Sequence, residues 1–189
     1  MRCKGEKKMQ PLSRRKILEG GLLGAAAGAG LLALAGRALA LDNGKPLPEF
    51  QGIETWLGGE ATTVEAQRGR VVAVHIWTFA CINCQRTLPS VIDLHRKYAA
   101  QGLTIIGVHT PEFAYEHDIG NIRAAIARHG IPYRVAVDNE YKTWRAYDNE
   151  YWPHLFIADR GGRLRYDHIG EGAYERNEQV VRQLLAEKA

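Results

Sequence analysis

The chain has 189 residues, which suits one globular domain or one domain with a tail, and its 46% apolar and 24% charged residues are ordinary for a soluble protein. Its net charge of +4 is unevenly distributed, since the first forty residues hold eight of the 25 basic and two of the 21 acidic residues. The rest of the chain therefore carries a net charge of −2, which argues against a nucleic-acid-binding protein that depends on a basic surface.

Residues 1–40 have the layout of an export signal. Basic residues come first, an apolar run of 14 residues follows at 22–35, and Ala-Leu-Ala at 38–40 fits a cleavage site. The run is shorter than the roughly 20 residues that cross a bilayer. The stretch SRRKIL at 13–18 resembles the twin-arginine signal, but Glu19 replaces the usual lysine, so Sec export stays open. We expect export to the periplasm or another extracytoplasmic space, with a membrane anchor as the alternative if the signal is not cleaved.

Hydrophobic periodicity predicts alternating strands and helices beyond this signal. Residues 41–50 predict a loop, and residues 52–66 a weak strand pair with a turn at Gly58-Gly59. The predicted strands that follow are 71–77, 103–110, 133–138, 154–159 and 163–169, the last two joined by a hairpin. The predicted helices are 82–100, 120–129, 141–147 and 174–187. The run VVAVHIW at 71–77 is continuous and rich in β-branched residues, as expected of a strand that is buried on both faces.

Cys81 and Cys84 form a C-x-x-C pair, while Cys3 lies inside the expected signal. Zinc normally has four ligands, and no two of the seven histidines have the H-x3–5-H spacing that would complete such a site. A structural disulfide that closes so small a ring restrains few unfolded conformations. A lone C-x-x-C pair in an exported protein therefore favours a redox dithiol, with metal binding and an inert disulfide as the remaining alternatives.

The order of elements predicts a mixed sheet that is covered on both sides. Because the C-x-x-C pair directly follows the first buried strand, this is the arrangement of a thioredoxin fold. The predicted fold class is therefore α/β: a central mixed sheet flanked by helices, with an N-terminal β extension, in one domain over residues 41–189.

Three stretches, CINCQRTLP, IGVHTPEF and YWPHLFIAD, resemble the exported TlpA/ResA-type thioredoxin-like thiol-disulfide oxidoreductases, and most narrowly the thioredoxin-like domain of DipZ-type proteins. The resemblance implies disulfide exchange with protein disulfide or dithiol substrates, and thiols of cytochrome c or of metal sites as targets. DipZ-type proteins join this domain to a CcdA-type membrane electron carrier, which would have to serve this chain in trans. We expect a monomer with no cofactor, no metal and no nucleic acid.

Disulfide exchange requires an accessible thiolate, a resolving thiol and a place for the substrate. Cys81 is the predicted nucleophile, because free backbone N–H groups and the helix dipole at a strand-to-helix junction stabilise a thiolate. Cys84, one helical turn further on, is the predicted resolving cysteine.

The resemblance also implies a docking surface around Pro153. In the family the matching proline is cis and exposes the backbone of the preceding residue, here Trp152, to an extended substrate. From the residues alone, an ordinary proline at the start of a strand is equally acceptable. Trp77 and Phe79 are expected to wall the same site, with core packing as the alternative.

His75 stands six residues before Cys81, where many thioredoxins have a buried carboxylate. Burial favours the neutral imidazole, so His75 is a candidate proton acceptor for Cys84, and a hydrogen-bonded core histidine is the alternative. The glutamate that ResA-like proteins often carry three residues past the second cysteine is Thr87 here, so its role cannot be carried over.

Two other functions stay open at this point. Thr78, three residues before Cys81, matches part of the T-x-x-C pattern of peroxiredoxins, although Val74 stands where that family has proline. A copper-binding Sco-like module would use both thiolates and a histidine, for which His154 is the nearest candidate, since soft thiolates favour Cu(I).

Overall fold

The computed structural model describes residues 44–188, and the export signal predicted for residues 1–40 lies outside them. In the described chain the strands are β1 (Thr55–Leu57), β2 (Val71–Trp77), β3 (Leu103–His109), β4 (Val135–Val137), β5 (His154–Ala158) and β6 (Leu164–Ile169). The helices are α1 (Ile82–Tyr98), α2 (Ile119–His129), α3 (Lys142–Ala146) and α4 (Tyr174–Ala186). Within this range, no helix combines the length and the apolar character that crossing a bilayer requires.

The strands form one mixed sheet in the order β1-β4-β3-β2-β5-β6. The central strand β2 runs parallel to β3 and antiparallel to β5, and all seven of its residues are buried. A strand covered on both faces needs apolar side chains on both, which the continuous run VVAVHIW provides, His75 excepted. The predicted thioredoxin fold is confirmed.

Apolar side chains pack on both faces of β2. Ala73 and Trp77 belong to a cluster with residues of α1, α2 and α4, whereas Val72, Val74 and Ile76 belong to a cluster on the other face. Because side chains alternate along a strand, His75 lies on the same face as Ala73 and Trp77, which is the face that α1 covers. The core thus holds β2 and α1 together, and the loop between them carries Cys81.

The strand pair predicted for residues 52–66 is wrong. Only β1 forms, and it pairs antiparallel with β4 rather than with a neighbouring segment. Residues Glu65–Gln67 form a short 3-10 turn instead of a strand. The Glu49 carboxylate accepts hydrogen bonds from the backbone N–H groups of Val64 (2.8 Å) and Glu65 (2.7 Å). These N–H groups therefore do not pair with a neighbouring strand. The N-terminal β extension is therefore a single strand.

Candidate active site

The end of β2 and the start of α1 place the two cysteines. Cys81 is the N-cap residue of α1, with an extended backbone (φ −67°, ψ 117°), and its Sγ accepts the backbone N–H of Cys84 at 3.4 Å. Cys81 is partly exposed, while Cys84 is completely buried. The helix terminus thus presents one thiol to solvent and holds the second behind it.

The two thiols differ strongly in acidity. The pKa of Cys81 is lowered to about 6, chiefly by a hydrogen bond from the Cys84 side chain, with help from the backbone N–H groups of Cys84 and Asn83. Partial burial opposes this shift. Burial raises the pKa of Cys84 far above its ordinary value, and the hydrogen bond to Cys81 raises it further. At neutral pH the pair is therefore an accessible thiolate next to a buried, protonated thiol.

The loop before β5 brings Trp152 and Pro153 to the dithiol. The Cys81 Sγ lies 3.9 Å from the carbonyl oxygen of Trp152, and the Trp152–Pro153 peptide bond is cis. The indole N–H of Trp152 donates to the carbonyl of Thr110 at 3.0 Å, and its ring lies 4.2 Å from that of Trp144. The backbone next to Pro153 is thus held beside the accessible sulfur.

The two aromatic residues expected to wall the site are placed differently. Phe79 is partly exposed, and its ring stacks on His109 with 5.5 Å between ring centroids. Trp77 has no exposed surface and packs edge-on against His109, with 5.4 Å between centroids. Phe79 can therefore contact a docked substrate, whereas Trp77 supports the site from within the core.

His75 is completely buried in β2, opposite Gly107 of β3 and Leu155 of β5. Neither ring nitrogen has a hydrogen-bond partner in the part of the chain that the structure describes. Burial lowers the pKa of His75 to about 3, so the imidazole is neutral at physiological pH. Among residues 44–188, no protein group supplies the hydrogen bond that the core-histidine alternative would use.

Glu116 is a site residue that the sequence analysis missed. Its side chain is completely buried and accepts the hydroxyl of Thr78 and the backbone N–H groups of Ala80 (2.8 Å), Glu112 (2.7 Å) and Phe113 (2.9 Å). Burial alone would raise the pKa of Glu116, but these four hydrogen bonds together hold it below its ordinary value. The local sequence feature that could have indicated its role is its position three residues after Phe113. At this spacing a glutamate side chain can accept the backbone N–H at the start of a helix.

Exposed apolar side chains lie on the segments next to the dithiol and the cis-proline loop. In the described range, the large apolar side chains that stay exposed are Ile82, Phe113, Tyr115, Tyr151 and Ile169. Ile82 follows Cys81 in the chain, Tyr151 precedes Trp152, and Ile169 pairs in register with His154. The Tyr115 ring lies 5.9 Å from that of Phe79 and 5.8 Å from that of Phe113. We call these five residues the apolar rim.

The residues named for the two other functions have different partners. Thr78 is fully buried, and its hydroxyl bonds to Glu116 and lies 3.3 Å from the Nε2 of His109. The ring nitrogens of His154 lie 2.5 Å from an oxygen of Asn149 and 3.0 Å from one of Asp167. Residues 44–188 hold no group of three or more histidine, cysteine or acidic side chains suited to a metal ion.

A thioredoxin fold with an asymmetric dithiol at a helix terminus, facing a cis-proline loop, defines a class: the thioredoxin-like thiol-disulfide oxidoreductases. The redoxin family profile matches residues 42–185. Thiol-disulfide oxidoreductase YkuV of Bacillus subtilis is 32% identical over 143 residues, which cover 76% of this chain and 96% of YkuV. The chain belongs to the redoxin family and, within it, to the thioredoxin-like thiol-disulfide oxidoreductases.

Two further relatives agree with this assignment. Protein DipZ of Mycobacterium tuberculosis is 43% identical over 141 residues, which cover 73% of this chain. The chain spans only about a fifth of DipZ, since the match covers 20% of that protein. A solved thioredoxin-like protein in its oxidised form is 31% identical, with a TM-score of 0.71 over 79% of this chain and all of that one.

Proposed function

We propose that this protein is exported and exchanges disulfides with protein substrates through Cys81 and Cys84. The observation that carries the proposal is the asymmetry of the pair, with Cys81 accessible and acidic and Cys84 buried and protonated. Attack on a substrate requires an exposed thiolate, and resolution requires a second thiol that substrates cannot reach. The twin-arginine-like stretch at 13–18 supports the export part of the proposal.

The reaction runs in two displacement steps. The Cys81 thiolate attacks one sulfur of a substrate disulfide, so a mixed disulfide forms and the other substrate sulfur leaves as a thiolate. Cys84 then loses its proton and attacks the Cys81 sulfur, which breaks the mixed disulfide and releases the second substrate thiolate. Two electrons pass from the dithiol to the substrate, and the Cys81–Cys84 disulfide remains. The same steps in reverse oxidise a substrate dithiol.

The surface around Cys81 suits a polypeptide substrate. The Trp152 carbonyl lies beside the Cys81 sulfur, where the backbone of an extended substrate could align with it. The apolar rim offers large exposed side chains that a peptide can cover.

Cys84 must lose its proton before the second step, and we propose His75 as the acceptor. The side chain is neutral and lies on the face of β2 that α1 covers, and both ring nitrogens lack partners among residues 44–188. Imidazolium formed there would stabilise the attacking thiolate of Cys84, as a general base does. Because burial lowers the pKa of His75 to about 3, its contribution is that of a weak base.

For the direction of transfer, we propose reduction of substrate disulfides, such as those of cytochrome c or of metal-site thiols. The dithiol would be kept reduced by a CcdA-type membrane electron carrier acting in trans. This part of the proposal rests on the resemblance to DipZ-type proteins noted from the sequence, and the match to DipZ itself covers 20% of that protein.

Neither of the two other functions is favoured by a specific contact. A thiol peroxidase of the T-x-x-C type would use the Thr78 hydroxyl at the cysteine, but Glu116 and His109 bind that hydroxyl. A copper site would need a free nitrogen on His154, but Asn149 and Asp167 lie within hydrogen-bond distance of both.

Trapping of mixed disulfides tests the proposed roles. Cys84→Ser should accumulate mixed disulfides with natural partners, because the resolving thiol is gone. Cys81→Ser is the matched control and should trap nothing, since its remaining thiol is buried and protonated. Equal trapping by both variants, or trapping by neither, contradicts the assignment. Mass spectrometry of the trapped species also identifies the substrates.

A further inference from the structure

The Glu116 carboxylate connects two separate segments of the active site. Its Oε1 accepts the Thr78 hydroxyl and the Ala80 N–H, which belong to the segment between β2 and α1. Its Oε2 accepts the N–H groups of Glu112 and Phe113, in the loop that follows β3. None of these partners is a lysine or arginine, so the buried charge is stabilised by hydrogen bonds alone.

The segment that Glu116 holds leads directly into both cysteines. Ala80 precedes Cys81, the residue whose extended backbone starts α1. Thr78 is tied to Glu116 by its hydroxyl, and its backbone lies close enough to Cys84 to lower the pKa of that thiol, against the larger effect of burial. The position of this segment therefore decides how the N–H groups of the first turn meet the Cys81 sulfur.

We propose that Glu116 is a positioning residue, whose carboxylate fixes residues 78–80 so that the first turn of α1 keeps its hydrogen bonds to the Cys81 sulfur. It touches neither sulfur and acts through Thr78 and Ala80. The inference rests on the proposed disulfide exchange for its biological meaning, but the geometry that it concerns can be measured without any substrate.

Neutral glutamine cannot replace this carboxylate. All four partners of Glu116 donate hydrogen bonds, and a glutamine side chain offers one accepting oxygen and one donating NH2 group. If the oxygen faces Glu112 and Phe113, the NH2 group faces the Thr78 hydroxyl, which can accept, and the Ala80 N–H, which cannot. If the amide is reversed, two backbone N–H groups face the NH2 group. Either way a donor next to the active site loses its partner and the backbone must move.

Three other titratable side chains lie near this network or act on Cys81: His109, Tyr141 and Glu112. Burial lowers the pKa of His109 to about 4, so this ring is neutral beside Thr78. Burial, and secondarily the Glu116 charge, raises the pKa of Tyr141, which is therefore un-ionised at neutral pH. The charged side chain that acts on Cys81 is the Glu112 carboxylate, which raises the pKa of Cys81.

The test compares Glu116→Gln with Glu112→Gln in the full chain. The two variants remove the same charge from the same loop, but only the first disturbs the four hydrogen bonds. The alkylation rate of reduced Cys81 with iodoacetamide, followed from pH 4 to 9, gives the midpoint of thiolate formation. Glu112→Gln should lower the midpoint, since it removes a nearby negative charge. Glu116→Gln should raise it by about half a pH unit or more, toward the ordinary thiol value of about 8.5.

Two results would overturn the proposal. A midpoint that falls in Glu116→Gln as in Glu112→Gln would show that Glu116 acts only as a charge. An unchanged midpoint together with a lower unfolding temperature would show that Glu116 supports the fold and not the dithiol. Neither result bears on disulfide exchange by the wild type, so failure of this inference and failure of the proposed function are distinguishable.

A second pair of variants covers the case in which Glu116→Gln does not fold. Thr78→Val removes only the hydroxyl that binds Glu116, whereas Thr78→Ser keeps a hydroxyl at the same place. The valine variant should raise the Cys81 midpoint, and the serine variant should return it toward the wild-type value. Equal midpoints in the two variants contradict the proposal.

Discussion

The acidity of Cys81 should depend on Cys84, because the hydrogen bond from the Cys84 side chain is the largest cause of its low pKa of about 6. Cys84→Ala removes this bond and leaves the backbone N–H groups of the first turn in place. We therefore expect the pKa of Cys81 to rise in this variant without reaching that of a free cysteine. Cys84→Ser keeps a hydroxyl donor and should shift the pKa less.

The size of the shift follows from the energy of one hydrogen bond. A hydrogen bond to a charged group contributes about 1.5–3 kcal/mol, and one pKa unit corresponds to about 1.4 kcal/mol. Because Cys81 is partly exposed, water replaces part of the lost bond, and we expect the lower end, about one unit. At pH 6 the thiolate fraction would then fall from about one half to about one tenth, which is about fivefold.

The assay is the pH profile of Cys81 alkylation, with mass spectrometry to assign the modified residue. The midpoint of the profile is the quantity to compare, and not the rate at one pH. A more basic thiolate is intrinsically more reactive, with a Brønsted coefficient of about 0.4–0.5, so a higher pKa changes the rate as well as the thiolate fraction. The two profiles should therefore cross between about pH 6.5 and 7, with Cys84→Ala about twofold slower at pH 6 and faster above about pH 7. A midpoint in Cys84→Ala that stays near 6 would refute the reasoning, because the N–H groups alone would then account for the low pKa.

Three further predictions concern the substrate, proton transfer and export. Trp152→Ala should raise KM for a protein disulfide about tenfold, as expected for an aromatic contact, while turnover of glutathione disulfide changes little; equal losses with both would argue against docking. His75→Leu should slow resolution of the mixed disulfide near neutral pH by about tenfold or less, with partial recovery at higher pH; identical stopped-flow profiles would leave His75 a packing role. Arg14→Lys combined with Arg15→Lys should stop translocation by the twin-arginine route, and unchanged export would indicate Sec.

The fold could be predicted because its main signals are local. The run at 71–77 is apolar on both faces, as a strand that is buried on both sides requires. The C-x-x-C pair shortly after it marks the start of α1. The strand pair at 52–66 failed because β1 pairs with β4, and local turn residues carry no information on a partner about 80 residues away. Contacts between distant strands are set by the packing of the whole sheet.

The positions of the two cysteines at the start of α1 and the cis bond before Pro153 could likewise be predicted, whereas the buried contacts of the neighbouring segment could not. Thr78 suggested only a peroxidase pattern, because its partner Glu116 lies 38 residues further along the chain. A glutamate in a polar stretch reads as exposed, and only the fold shows that it is buried among four donors. The sequence also suggested the same role for Trp77 and Phe79, although Trp77 lies in β2 and Phe79 lies in the loop beyond it.

The most direct test of the central claim is to mix the reduced protein with a protein disulfide and count the products by mass spectrometry. The account predicts one Cys81–Cys84 disulfide for each substrate disulfide reduced, and no exchange by Cys81→Ser. A substrate disulfide that stays intact, or equal exchange by Cys81→Ser, would contradict it.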